Sequence, residues 1–254
     1  DLFQTPAHFV AGIRYETPDI ASSALVPVPV TTTWVGENEF NVIFSPDEQF
    51  TRFKGSYNNW LPACDLDVSP MEDVKLRASY SHTITRPDYA SMQGGRTIDT
   101  LFRVGGGTGA QGNPGLIPYK SKNIDLSAEW YYGRDSYLSV GYFHKDVKNF
   151  ISSTRIDSNA FGLTTPVGGP RWNAAIAAIG ADATVAQIRQ HIFEFFPETT
   201  TITGGGNGEP FTGIINAAPG DPLVNFEIAT PVNSDQTASL NGWEVGLQHS
   251  LWDT

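Results

Sequence analysis

Between Val74 and Arg86 the side chains alternate for about a dozen residues, with Val74, Leu76, Ala78, Tyr80, His82 and Ile84 on one side and Lys75, Arg77, Ser79, Ser81, Thr83 and Thr85 on the other. A period of two over that length belongs to a β-strand with one apolar and one polar face. Strands of soluble sandwiches run about five or six residues, whereas a tilted strand crossing a bilayer needs about 9 to 11. The segment therefore suits a bilayer crossing with an extension beyond it, its apolar side toward hydrocarbon and its polar side toward water.

The pattern recurs. Ile124, Leu126, Ala128, Trp130 and Tyr132 alternate with Asp125, Ser127, Glu129 and Tyr131; Leu138, Val140 and Tyr142 alternate with Ser139, Gly141 and Phe143. Near the end Trp243, Val245, Leu247 and Leu251 alternate with Glu244, Gly246, Gln248 and Ser250, and near the start Phe9, Ala11, Ile13 and Tyr15 alternate with Gly12, Arg14 and Glu16. A sixth, less regular strand is expected over 53–68, with Pro62 tolerated only at a bulge or edge. Connections alternate in length: long over 20–51, tight over 69–73, long over 87–122, very short over 133–135 and longest over 152–239. Long and short connections thus fall at opposite ends, as in an outer-membrane barrel with short periplasmic turns and long extracellular loops, and strand 74–86 runs outward. Tyr15, Trp60, Tyr80, Trp130, Tyr132, Tyr142, Trp243 and Trp252 stand at or near candidate strand ends, where amphipathic rings suit the headgroup level. The expected fold class is all-β, an antiparallel up-and-down transmembrane β-barrel segment of about six long strands with long extracellular loops.

Composition narrows the function classes. The formal charge of −11 argues against a nucleic-acid surface, which would need clustered Lys and Arg, and no apolar run approaches a membrane helix. Cys64 stands alone, so no intrachain disulfide forms, and the first residues carry no signal peptide, as expected of a mature chain or of one whose start is missing. Within 152–239 the segment 182–196 predicts a short helix, capped by Asp182 or Thr184, in which Val185, Ile188, Ile192 and Phe195 recur at helical spacing before Pro197 ends it. Its apolar stripe is expected to pack on the loop or the barrel rim, or else to form a lid over the entrance.

No residues assemble into a catalytic or metal motif. The run from Gly107 to Gly112 spells G-x-G-x-x-G, but Asn113-Pro114-Gly115 follows instead of a helix, so it reads as a flexible loop and not as a dinucleotide site. The five histidines include no H-x-x-x-H pair, no G-x-S-x-G elbow exists, and the carboxylates are scattered. The expectation is no enzyme, no cofactor and no metal. Lys75, Arg77 and Glu129 fall on the polar faces and imply a hydrated or plugged lumen.

The run from Leu76 to Tyr89, ending Arg86-Pro87-Asp88-Tyr89, resembles the segment of TonB-dependent receptors in which an outward strand ends in Arg-Pro. The stretch from Gly112 to Pro118, with Asn113-Pro114-Gly115-Leu116, is similar to the family's Asn-Pro-x-Leu stretch leading into the next inward strand. Glu129 to Tyr132, Ser136 to Phe143 and Val10 to Glu16 extend the resemblance over 8–151 and 240–252, most like receptors of Caulobacter and Xanthomonas type. The resemblance implies a barrel of roughly 22 strands around an N-terminal plug, in the outer membrane of a Gram-negative bacterium, driven by the TonB complex. Residues 1–254 show no plug, no TonB box and no terminal strand with a final aromatic, so they read as a fragment of such a receptor.

The implied ligand is a small-molecule nutrient, a carbohydrate or otherwise a siderophore-type chelate, captured by the long loops. Trp34, Tyr89, Arg103, Tyr119, Arg171 and Trp172 are the candidate contacts, because aromatic rings stack on sugars and guanidinium groups grip acidic ones. Outer-membrane lipid, the plug domain of the same receptor and TonB are the expected partners, and nucleic acid is not. The rival readings are a passive porin-type channel and a soluble carbohydrate-binding β-sandwich, the latter requiring Leu76, Ala78 and Ile84 to pack beneath a second sheet.

Overall fold

The computed structural model describes residues 6–159 and 161–251, so the expected interfacial ring of Trp252 lies outside the described residues. Six long strands form one sheet: β1 (Ala7–Glu16), β4 (Asn59–Met71), β5 (Val74–Thr85), β9 (Tyr119–Gly133), β10 (Ser136–Lys148) and β15 (Ala238–Gln248). They lie in chain order, each antiparallel to its neighbour, so the sheet is an up-and-down meander. These are the strands read from the alternation, with one adjustment. Residues 53–56 end a separate hairpin strand, and the sixth strand is β4. Pro62 lies on it just before the pairing with β5 begins at Ala63, so its missing N–H breaks no rung there.

Register turns alternation into two faces. Phe9 pairs with Leu66, Leu66 with Ala78, Ala78 with Leu126, Leu126 with Tyr142 and Tyr142 with Trp243, so one apolar row crosses all six strands. Among the described residues no second sheet covers it. Leu76 is 43% exposed, Trp60 56% and Val245 71%, and this open face rules out the sandwich. In water, so large an apolar sheet would drive aggregation. On the rungs of Val74 and Ile84, ten residues apart, stand Trp130 and Lys120, and the Lys120 ammonium donates to the Trp60 carbonyl at 3.2 Å. That separation is about 33 Å along the strand and about 25 Å at a tilt of about 40°, the height of an outer-membrane apolar band.

The connections at one end are the turns at Glu72-Asp73 and Arg134-Asp135. At the other end the three long connections are folded, not irregular. The first is a hairpin of β2 (Asp19–Gly36) and β3 (Glu39–Ser56). The second holds β6 (Arg96–Ile98), β7 (Leu101–Phe102) and β8 (Gly107–Gln111). The third holds β11 (Ile151–Ser158), helices α1 (Pro170–Ile179) and α2 (Val185–Phe195), then β12 (Thr200–Gly206), β13 (Glu209–Asn216) and β14 (Phe226–Asn233).

These segments interlock into a cap. One sheet runs β12-β13-β2-β3-β7 and draws on all three connections; another runs β11-β14-β8-β6 and joins the second to the third. The G-x-G-x-x-G run therefore corrects from loop to strand β8, parallel to β14. Its glycines serve packing, because a Cβ on Gly107 would stand 2.5 Å from the Phe226 ring. The cap has the only clustered hydrophobic core among the described residues, with Trp34, Phe40, Phe102, Ile192, Phe193 and Phe226 at its centre and no member from the six long strands.

Candidate functional site

Two surfaces of the molecule carry polar chemistry, the second face of the long sheet and the cap. On the sheet, register gathers Asp67, Arg77 and Ser127 on one rung and Lys75 and Glu129 on another, all opposite the apolar face. The Arg77 guanidinium bridges two strands, meeting Glu129 at 2.9 Å and Asp67 at 3.1 Å, and the Tyr131 hydroxyl donates to Glu129 at 2.6 Å. A hollow of about 710 Å³ opens on this face, with Asp65, Asp125, Lys145 and Glu244 also along it. Small side chains such as Ser79, Ser127 and Gly141 keep it shallow and wettable. Asp65, Ser79 and Asp125 stand on one rung, so the hollow presents carboxylates as well as the Arg77 cation.

In the cap the local sequence explains each element. Thr184 caps α2: its hydroxyl accepts from the Gln187 amide at 3.2 Å while the Gln187 side chain accepts from the Thr184 amide at 2.8 Å, a reciprocal capping box. Of the two residues expected to cap the helix, Thr184 is the one that does. Ile188 and Ile192 face the core as the spacing predicts, but Phe195 is 60% exposed and stacks on His191 while Phe193 is buried. The Gln190 side chain exchanges two hydrogen bonds with the Phe211 backbone, at 2.9 and 2.7 Å, and so pins α2 to β13. Asn233 clamps the base of the cap, accepting from the Ile117 amide at 2.9 Å and donating to the carbonyls of Ile117 and Asn149 at 2.8 and 3.1 Å.

The six expected contact residues divide by exposure. Trp34 is fully buried, stacked on Phe40 at 5.1 Å between ring centroids and tilted against Trp172 at 5.6 Å. Arg171 is buried too, held by Asp221 at 2.6 Å and donating to the Asn216 carbonyl at 3.0 Å. Both side chains are committed to the cap interior. Trp172 is half-buried. Tyr89 is 91% exposed, and Arg103 is exposed with one donor spent on the Asn38 carbonyl at 3.3 Å. Tyr119 is half-buried at the start of β9, edge-on to Phe150 at 5.7 Å, and its position in the alternation puts it on the charged face of the sheet, at the cap end. The structure does not bring these six together into one pocket.

Sequence reasoning missed Arg189. Its guanidinium donates to the Val35 carbonyl at 3.2 Å and to the Gly213 carbonyl, and it lies 4.6 Å over the Phe193 ring. Its position between Ile188 and Ile192 on a short helix was the available signal, since a cation so close to the apolar stripe needs carbonyl partners. Helix α1 was missed as well. Gly169-Pro170 before it, the recurrence of Trp172, Ala175, Ile176 and Ile179, and Gly180 after it are start, stripe and stop signals.

The model of the family described as TonB dependent receptor-like, beta-barrel, matches residues 3–254. No curated protein matches the chain. Among solved structures it is similar to a mutant of the ferric enterobactin receptor PfeA from Pseudomonas aeruginosa, at 17% identity and a TM-score of 0.43, over 84% of this chain and 24% of that one. It is also similar to the siderophore receptor PirA from Acinetobacter baumannii, at 15% identity and a TM-score of 0.41, over 82% and 24%. A double mutant of the Serratia marcescens hemophore receptor HasR, in complex with its hemophore HasA and heme, aligns at 13% identity and a TM-score of 0.42, over 95% and 29%. The chain spans about a quarter of the length of these receptors.

Proposed function

The chain belongs to the TonB-dependent receptor β-barrel family, and we propose that it supplies part of the wall and the extracellular cap of an outer-membrane importer of a scarce nutrient. One observation carries this reading: six antiparallel strands bear an uncovered apolar row on one face and bridged charges on the other, and all their long connections leave from the same end. Hydrocarbon covers the first face. The second, with Lys75, Arg77 and Glu129, lines a hydrated interior that receives the plug of the full-length receptor.

The cap captures the solute and TonB supplies the energy for its passage. Tyr89, Arg103 and Trp172 on the cap and Tyr119 at the mouth of the wall are the side chains left to meet a ligand. A carbohydrate fits the aromatic share of that set, and a siderophore-type anionic chelate fits Arg103. No step of covalent chemistry enters the reading.

Growth of a strain lacking the intact receptor, screened on single scarce carbohydrates and iron chelates, tests the proposal. Loss of growth on one nutrient class, reproduced when TonB energy is removed, is the expected result. Uptake that persists without TonB makes the protein a passive channel and overturns the reading.

A further inference from the structure

At its outer end the apolar face of the wall changes character. Lys122 stands across from His82 on β5 and from Asp146 on β10, and two rungs farther out, on the same face, Lys120 stands across from Ile84 and from Lys148. Lys120 and Lys148 are therefore direct cross-strand partners, an arrangement in which like charges repel and weaken the pair. With Lys122 beneath them, three ammonium groups share one patch in a chain of net charge −11. Among the described residues no carboxylate forms an ion pair with any of the three. Asp146 faces Lys122 in register, but one of its oxygens is taken by Ser239 at 2.5 Å and His144 at 3.3 Å, and it offsets at most a single ammonium.

Lys122 and Lys148 are exposed, and the Lys120 ammonium is steadied by the Trp60 carbonyl. Directly inward of the patch on the same face come Ile124, Leu126 and Trp130, all exposed and apolar. A ligand that satisfies both parts needs anionic oxygens at one end and hydrocarbon at the other. The flexible four-carbon stem of lysine suits this, because it covers apolar surface while holding the charge toward the headgroup level.

We infer that Lys120, Lys122 and Lys148 form a binding site for a phosphate-bearing lipid headgroup of the outer leaflet, its acyl chains lying along the apolar face below. The headgroup supplies the negative charge that relieves the Lys120–Lys148 repulsion. Free phosphate meets the cations but leaves the apolar surface uncovered, so the site takes a lipid, by the same charge logic that draws basic clusters at a membrane surface to anionic headgroups. The inference rests on the membrane-embedded reading of the wall.

Native mass spectrometry of the intact receptor in detergent, titrated with phosphatidic acid, with phosphatidylcholine of the same chains and with inorganic phosphate, tests it. The expected result is retention of phosphatidic acid about tenfold tighter than phosphatidylcholine, no displacement by excess inorganic phosphate, and loss of the preference in the K120Q/K122Q/K148Q variant. Equal binding of phosphatidic acid by parent and variant overturns the inference, and so does displacement by inorganic phosphate, which would assign the patch to a free anion. Heat-dependent gel mobility confirms that the variant is folded; if it is not, the single variant K148Q, at the end of its strand, replaces it and must halve the preference or the inference fails. A receptor that stays soluble without detergent sinks the membrane reading instead, whereas detergent dependence with unchanged lipid preference sinks this inference alone.

Discussion

The guanidinium of Arg171 and the carboxylate of Asp221, 50 positions apart in the chain, meet at 2.6 Å inside the cap with side-chain exposures of 7% and 1%. The same Asp221 oxygen accepts from the Ala218 amide at 2.9 Å, so the pair ties the start of α1 to the turn before β14. Asp221→Ala leaves the Arg171 charge buried and alone, a loss of about 3–5 kcal/mol for such pairs. Limited proteolysis of the intact receptor is expected to cut within 161–225 in this variant while the wall keeps its heat-dependent gel mobility. Unchanged resistance of the cap refutes the assignment.

Trp34 and Tyr89 make a contrasting pair. Trp34→Ala removes an indole packed between Phe40 and Trp172 and is expected to destabilise the cap by about 3–5 kcal/mol, read as a lower denaturant midpoint for cap fluorescence. Tyr89→Ala touches nothing the fold needs and is expected to stay within about 0.5 kcal/mol of the parent. Any effect of Tyr89→Ala then appears in uptake, not in stability.

Position 78 tests the wall. Ala78 lies near the middle of the apolar row, while Ser79 beside it stands between Asp65 and Asp125 on the charged face. Ala78→Arg is expected to cost about 2–4 kcal/mol in urea unfolding from lipid vesicles, the range for a cation at the bilayer midplane. Ser79→Arg, placed between two carboxylates, is expected to be close to neutral. Equal costs at the two positions contradict the two-faced wall.

Asp88 gives the cap a dependence on acid. Its carboxylate accepts from the Ser91 amide at 2.7 Å and from the Ser91 hydroxyl at 3.0 Å, and these bonds hold its pKa below the usual aspartate value. A depressed folded pKa means the contribution is complete above the unfolded value, about 3.9, and is lost as pH falls through the folded one. Hydrogen exchange at the Ser91 amide, corrected for the intrinsic rate, is expected to show protection above about pH 4 that fades on further acidification. Asp88→Ala removes that protection at every pH.

The wall was legible because each of its strands separates two different surroundings, which forces the alternation seen from Val74 to Thr85. The cap was not legible by the same rule. Strand β2 carries Pro27 and Pro29 and is buried on both faces at Thr32, Thr33 and Trp34, so no period of two survives there and it reads as loop. Helix α2 was visible through its cap and stripe, since both are local signals. The role of Arg171 was hidden because its partner is distant in sequence, and Trp34 resembled a loop aromatic until β3, β13 and α1 closed around it. Tyr119 and Arg103 kept the exposure a contact residue needs because their neighbours are backbone carbonyls and ring edges, which leave part of each side chain in solvent.

The interleaving of the cap sheets sets an order of assembly. Because β2 and β3 sit between β13 from the third connection and β7 from the second, no connection can complete its share of the packing alone. Each connection can pair within itself, β2 with β3, β6 with β8 and β12 with β13, but the cap sheets close only when all three have arrived. Completion of the cap is therefore a late event, and a defect in any one connection is felt by the other two.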